Sequence, residues 1–116
     1  MNVTRIALVA SLIFSFSFAA HAASCPTAAP SNTPGFCSSF KVAAQCHCSK
    51  SLPAGMCTDE RQLYKRMTAA YGSLQRACES QHETSAQECV DDWNCYLSGG
   101  LTSKSELCSG SGTACI

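Results

Sequence analysis

Residues 58–100 read TDERQLYKRMTAAYGSLQRACESQHETSAQECVDDWNCYLSGG, and the spacing of apolar residues in this stretch decides the fold class. Leu63, Met67, Ala70, Tyr71, Leu74 and Cys78 recur at helical intervals and form one stripe. Thr58 stands at its head as a candidate N-cap. Asp59 and Glu60 follow in the first turn, where the helix dipole favours negative charge. The pattern predicts a helix over 58–80, with Gly72 weakening its interior by about 1 kcal/mol relative to Ala. Lys65, Arg66 and Arg76 lie off the stripe. Residues 80–84 then form a polar turn, and Ser85-Ala-Gln-Glu88 has the form of a capping box. In the helix that follows, Cys89, Trp93, Tyr96 and Leu97 share a face, and Gly99-Gly100 stops it. Two helices joined by a short turn make an antiparallel hairpin.

The hairpin constrains the cysteines. Cys78 lies just before the turn and Cys89 just after it, so the two face one another, and the spacing predicts a Cys78–Cys89 bridge. A continuous helix would hold Cys57 about 30 Å from Cys78 at 1.5 Å per residue. Cys57 is thereby excluded from Cys89 and directed to Cys46, Cys48 or a tail cysteine. For Cys25, Cys37, Cys46, Cys48, Cys57, Cys95, Cys108 and Cys115 the pairing stays open, because ten cysteines admit on the order of 10^3 pairings.

Upstream, residues 37–48 read CSSFKVAAQCHC; Phe40, Ala43 and Ala44 fall at i, i+3 and i+4 and predict a short third helix, with Ser38 or Ser39 as its cap. Residues 49–57, with Pro53 and Gly55, read as a loop. Residues 23–36, with Pro26, Pro30 and Pro34, read as an extended Pro/Ala/Ser-rich arm. Residues 101–116 are a Ser/Gly-rich irregular tail tethered by Cys108 and Cys115. The domain that these ends flank spans 37–100.

Residues 1–22 have the form of a secretory signal peptide. Arg5 supplies the positive charge, Ile6 to Ala20 the apolar run, and Ala20-His21-Ala22 a small-x-small cleavage site. The run is shorter than the ~20 residues a membrane span needs. Cleavage near Ala22/Ala23 leaves 94 residues that keep all ten cysteines and carry a net charge of −1. A cysteine fraction of about 11% in a short secreted chain marks a disulfide scaffold of an oxidising compartment, periplasmic or extracellular. The aromatic inventory is only Phe36, Phe40, Tyr64, Tyr71, Trp93 and Tyr96. Covalent constraint, at about 2–5 kcal/mol per native bridge, therefore substitutes for part of a core.

The charge balance excludes a phosphate-binding surface, so nucleic acid is not an expected partner. Cys46-His47-Cys48 admits a thiol-redox or metal-handling reading, yet the chain has no Cys-x-x-Cys and lacks the spacing of a zinc site. With an even cysteine count these residues read as structural half-cystines. His82 reads as a solvated turn residue. Asp91 and Asp92 point about 100° apart on their helix, so they form no carboxylate dyad and read as solvated or at a helix-dipole position. No Ser-His-Asp signature or phosphate-binding glycine loop is present, and the chain reads as a non-enzyme without cofactor or metal. Trp93 and Tyr96 are the candidate partner-binding anchors, since Trp and Tyr dominate interface hot spots.

The stretch Cys89-Val-Asp-Asp-Trp-Asn-Cys-Tyr-Leu-Ser-Gly-Gly100 resembles a pattern of the TrbM/KikA-type family, in which a cysteine pair within a helix precedes a Leu-Ser-x-Gly-like end. Those proteins are small, secreted, Cys-rich and helical, and are linked to bacterial conjugation and type IV secretion. The resemblance covers about twelve residues and implies a periplasmic accessory role without a catalytic residue. The expected fold is all-α: a disulfide-stapled helical hairpin with a short third helix. The expected function is that of a secreted or periplasmic interaction protein whose partner is another envelope or secreted protein. A secreted effector, toxin or inhibitor, protected by its bridges, is the alternative. Peptide mass mapping of the oxidised protein is expected to recover Cys78 joined to Cys89; any other partner for Cys78 overturns the hairpin argument.

Overall fold

A computed structural model describes residues 24–116; the signal-peptide reading of 1–22 lies outside the described residues. Four helices follow in order: α1 Phe36–Ser49, α2 Glu60–Tyr71, α3 Leu74–Glu79 and α4 Ala86–Ser98. Short 3-10 turns occupy Ala54–Cys57 and Cys108–Gly110, and there is no strand among the described residues. The only extended pairing among them is a single antiparallel bridge between Leu101 and Leu107. The fold is all-α, small and disulfide-rich.

The helix expected over 58–80 is two helices. Gly72 takes a left-handed conformation (φ 90°) and its N–H closes on the Thr68 carbonyl. Ser73 then caps a new helix by accepting from the Arg76 N–H at 3.1 Å. Glycine ends a helix most easily and serine starts one, so the dipeptide is a stop-start signal. The apolar stripe conceals the break because its spacing runs unchanged across it. At the head of α2 the cap is Asp59 rather than Thr58: its Oδ1 accepts from the N–H groups of Arg61 (3.0 Å) and Gln62 (3.2 Å). α1 also departs from expectation. Gly35 is its N-cap and makes no side-chain bond, while Ser38 and Ser39 lie in the first turn and donate to the Gly35 carbonyl. α4 begins as its sequence indicates, Ser85 Oγ accepting from the Glu88 N–H at 3.1 Å.

The core forms where α1 meets α4. Phe40 is its hub, 4.9 Å from the Trp93 ring edge-on, 5.0 Å from Tyr96 and 5.3 Å from Phe36. Such aromatic pairs contribute about 0.5–1.5 kcal/mol beyond their buried area. Trp93 and Tyr96 are 6% and 2% exposed. Both belong to this core, which claims most of the few aromatics; Tyr96 is almost wholly covered, and only a small part of Trp93 reaches the surface.

Five disulfides frame the core. Cys25–Cys46 ties the arm to α1, Cys48–Cys57 closes the loop before α2, and Cys78–Cys89 joins α3 to α4 across the turn. Cys95–Cys108 and Cys37–Cys115 fasten the tail to α4 and α1. The tail is also held by its backbone: Gly100 N–H donates to the Gly112 carbonyl at 3.0 Å, and Cys115 N–H donates to the Tyr96 carbonyl at 2.9 Å. Gly99 makes this return possible. Its φ is 71°, and a Cβ there would lie 2.5 Å from the Thr113 carbonyl carbon.

Gly72 and Gly99 thus share a positive φ but differ in space, since a Cβ at Gly72 meets only the tip of Arg76 at 3.9 Å. In guanidinium unfolding of the oxidised protein, Gly72→Ala is expected to cost about 1 kcal/mol, the left-handed penalty alone. Gly99→Ala is expected to cost about 2–4 kcal/mol, because the tail backbone must also move. Equal losses would show that the tail does not pack on Gly99.

Candidate functional site

α2 carries no cysteine. It is held at its head through the Cys48–Cys57 loop and at its tail through α3, and it leaves a groove between itself and the stapled body. The groove encloses about 880 Å3. Phe40, Ala43 and Ala44 of α1, Leu63, Met67 and Ala70 of α2, and Trp93 of α4 line its apolar surface, with Pro26–Ala28 of the arm along one edge. Its size falls in the ~300–1,000 Å3 range of ligand clefts. Exposed Leu52 (37%) and Tyr71 (49%) continue the apolar surface to the rim. A shallower depression of about 590 Å3 follows the turn from Cys78 to Ala86; exposed His82 lies there.

Charged groups stand at two places on the groove. At one, His47 Nδ1 lies 3.6 Å from Glu83 Oε1. The Glu83 carboxyl is held below the usual range chiefly by its own backbone N–H, with His47, the His82 N–H and Lys50 adding to this. At the other stand Glu88 and Asp92. Burial pushes the Asp92 carboxyl up to about 7, and the negative charges of Glu88 and Asp91 add to the shift. The adjacent acids therefore diverge in role. Asp91 accepts from Ser103 Oγ at 2.6 Å and from Gln87 Nε2 at 3.1 Å, whereas Asp92 lines the groove. The expectation that both are solvated fails for Asp92.

A second buried acid lies at the head of α2, away from the groove. Glu60 is 3% exposed; Oε1 accepts from Gln45 Nε2 at 3.0 Å, and Oε2 has no partner among the described residues. Burial raises its pKa, opposed by Lys41 and by the Gln45 hydrogen bond. The Tyr96 hydroxyl is raised by burial and further by Glu60.

The Cys46-His47-Cys48 triplet resolves into two separate staples. Cys46 bonds Cys25 and Cys48 bonds Cys57, with His47 between them on the groove. The described residues hold no free cysteine and no group of His, Cys, Asp and Glu arranged to hold a metal. No helix among them is long and apolar enough to cross a membrane. No family model, curated protein or solved structure matches the chain.

Sequence reasoning assigned Leu63, Met67 and Ala70 to a core stripe and so missed the groove. The signal was Ala70 itself: the stripe is longer than the available core, so part of it is left uncovered, and Ala70 is exposed. Asp92 was foreshadowed by its position beside Trp93 and four residues after Glu88.

The raised acids set the direction of the pH dependence. A carboxyl with a folded-state pKa near 7 and an unfolded value of ~4 keeps its extra proton in the folded chain between those values. Its contribution to stability is complete below pH ~4, declines as pH rises, and is lost above about 7. Asp92→Asn is expected to stabilise the oxidised protein by about 1–2 kcal/mol at pH 8, with the gain vanishing below pH ~4. Thermal unfolding between pH 3 and 8 measures it, and a gain independent of pH would remove Asp92 as its origin.

Proposed function

We propose that this protein is a non-enzymatic docking module of an oxidising, extracytoplasmic compartment that holds a segment of a partner protein in the groove beside α2. The observation that carries the reading is the groove itself. A chain with few large apolar residues leaves Leu63, Met67 and Ala70 partly or wholly uncovered beside a core short of packing partners. Contiguous exposed apolar surface of this kind marks interaction sites in small proteins.

Five bridges supply a frame that stays folded outside the cytoplasm without support from the partner. All ten cysteines serve that frame, which leaves thiol chemistry outside the proposed role. The likeness of residues 89–100 to the conjugation-associated family supports the reading that the partner belongs to a bacterial conjugation or type IV secretion apparatus. In that reading the protein is an accessory subunit.

A photo-crosslinking residue at Ala70, introduced in the native host, is expected to trap a specific envelope or secreted protein, with the same residue at Lys104 as the control. Ala70 lies on the groove, and Lys104 is exposed in the tail away from it. Equal trapping from both positions, or from neither, rejects the groove as the docking site. A trapped protein unrelated to secretion keeps the docking role and rejects the conjugation assignment.

A further inference from the structure

The groove is electrically asymmetric. Its basic members are His47 and Lys50 at the end of α1 and Arg66 on α2. His47 and Lys50 stand beside Glu83 of the turn and offset its charge. Glu88 and Asp92 form no ion pair among the described residues. The charges that act on Asp92 are both negative, Glu88 and Asp91 of its own helix, and no cation of α1 or α2 is among them. Asp91 is already engaged by Ser103 and Gln87. Glu88 and Asp92 therefore face the groove as two acids without a basic partner, at the edge of an apolar wall formed by Leu63, Met67 and Trp93.

The chemistry that complements this surface is a cation attached to an apolar segment. The apolar part covers the α2 wall, and the cation supplies the counter-charge that the fold lacks at Glu88 and Asp92. A charge pair beside an apolar, partly buried surface is stronger than one in open water. An anionic segment would instead bring a third negative charge to the same place.

We infer that the groove receives an apolar peptide segment of a partner protein that carries a lysine or arginine, with the cation seated between Glu88 and Asp92. The inference rests on the reading of the groove as a docking site and specifies the chemistry of its occupant. It also makes docking depend on pH. The protonated Asp92 offers a weaker counter-charge, so the groove holds such a segment more tightly as pH rises through about 7. Burial, with Glu88 and Asp91 on α4, sets this midpoint, while Arg66 of α2, His47 and Lys50 of α1, and Glu83 of the turn are the other charged and titratable groups lining the groove.

Trp93 is the only tryptophan of the chain and lines the groove, so its fluorescence reports occupancy. The probes are two acetylated, amidated peptides without aromatic residues, Gly-Ala-Leu-Leu-Lys-Leu-Ala-Gly and the same peptide with Glu replacing Lys. Each is titrated into the full oxidised protein at pH 8.5 and pH 5.5. The Lys peptide is expected to bind about tenfold more tightly than the Glu peptide at pH 8.5. At pH 5.5 the preference is expected to fall to about threefold or less. Asp92→Asn is expected to remove the pH dependence, and Asp92→Asn with Glu88→Gln the preference itself, with circular dichroism confirming an intact fold. Equal binding of both peptides at pH 8.5 overturns the inference about charge and leaves the groove as an apolar docking site. Failure of both peptides to perturb Trp93 overturns the groove reading as well.

Discussion

The covalent frame is the constraint on which the rest of this structure depends, and its longest member matters most. Cys37–Cys115 joins residues 78 apart, whereas Cys48–Cys57 joins residues 9 apart. Taken alone, loop-closure entropy gives about 4.5 kcal/mol for the first and about 2.6 kcal/mol for the second. The bridges are nested: Cys48–Cys57, Cys78–Cys89 and Cys95–Cys108 all lie inside the Cys37–Cys115 loop. Each inner bridge shortens the free chain that the outer one closes, so the contributions do not add. What the outer bridge does alone is bring the C-terminal tail back against α1. Cys108 of that tail is buried in the cluster with Phe36, Phe40, Cys95 and Tyr96, and Cys115 packs against it. The aromatic cluster is small because the tail and the cystines themselves fill the remaining volume.

The parts of this fold that were legible in the sequence are those set by local chemistry. Ser85, Glu88 and Gly99 mark the ends of α4 through capping preferences that act within one turn. Cys78 and Cys89 flank a turn short enough that the hairpin leaves them only one arrangement. The bridges Cys25–Cys46 and Cys37–Cys115 were not legible, because they depend on how the arm and tail travel through space. That path turns on one steric fact, the missing Cβ at Gly99, which lets the Thr113 backbone approach α4. Nothing in the residues near Cys115 records it. The break at Gly72 was hidden for a different reason. Hydrophobic periodicity reports sequence spacing, and that spacing continues from α2 into α3 across the break.

The same distinction explains the candidate site. Trp93 and Tyr96 attract attention because aromatics carry binding energy, yet a chain with six aromatic residues in its described part needs them inside. The residues that the core leaves partly uncovered along the groove are the ordinary ones, Leu63, Met67 and Ala70. A disulfide-framed protein is prone to this outcome. Where bridges maintain the fold, burial of every apolar side chain is no longer required for stability. An amphipathic helix is then free to keep part of its face for something else.

α2 follows this logic furthest. It is the one helix without a cysteine of its own, bounded by Cys57 on one side and by the Gly72 break on the other. The stapled body forms one wall of the groove, and a helix cross-linked only beyond its ends forms the other. Displacement of that wall disturbs Leu63, Tyr64 and Met67, which pack only partly on the core, and breaks no covalent bond. Local opening is least costly where few apolar contacts and no cross-links resist it. Asp92 lines the same groove in a position that disfavours its own charge. A group held against its preference in a cleft with an adjustable wall contributes nothing to the fold that a neutral residue would not. In the proposed docking, a cation arriving in the groove would remove the penalty that burial imposes on this carboxylate.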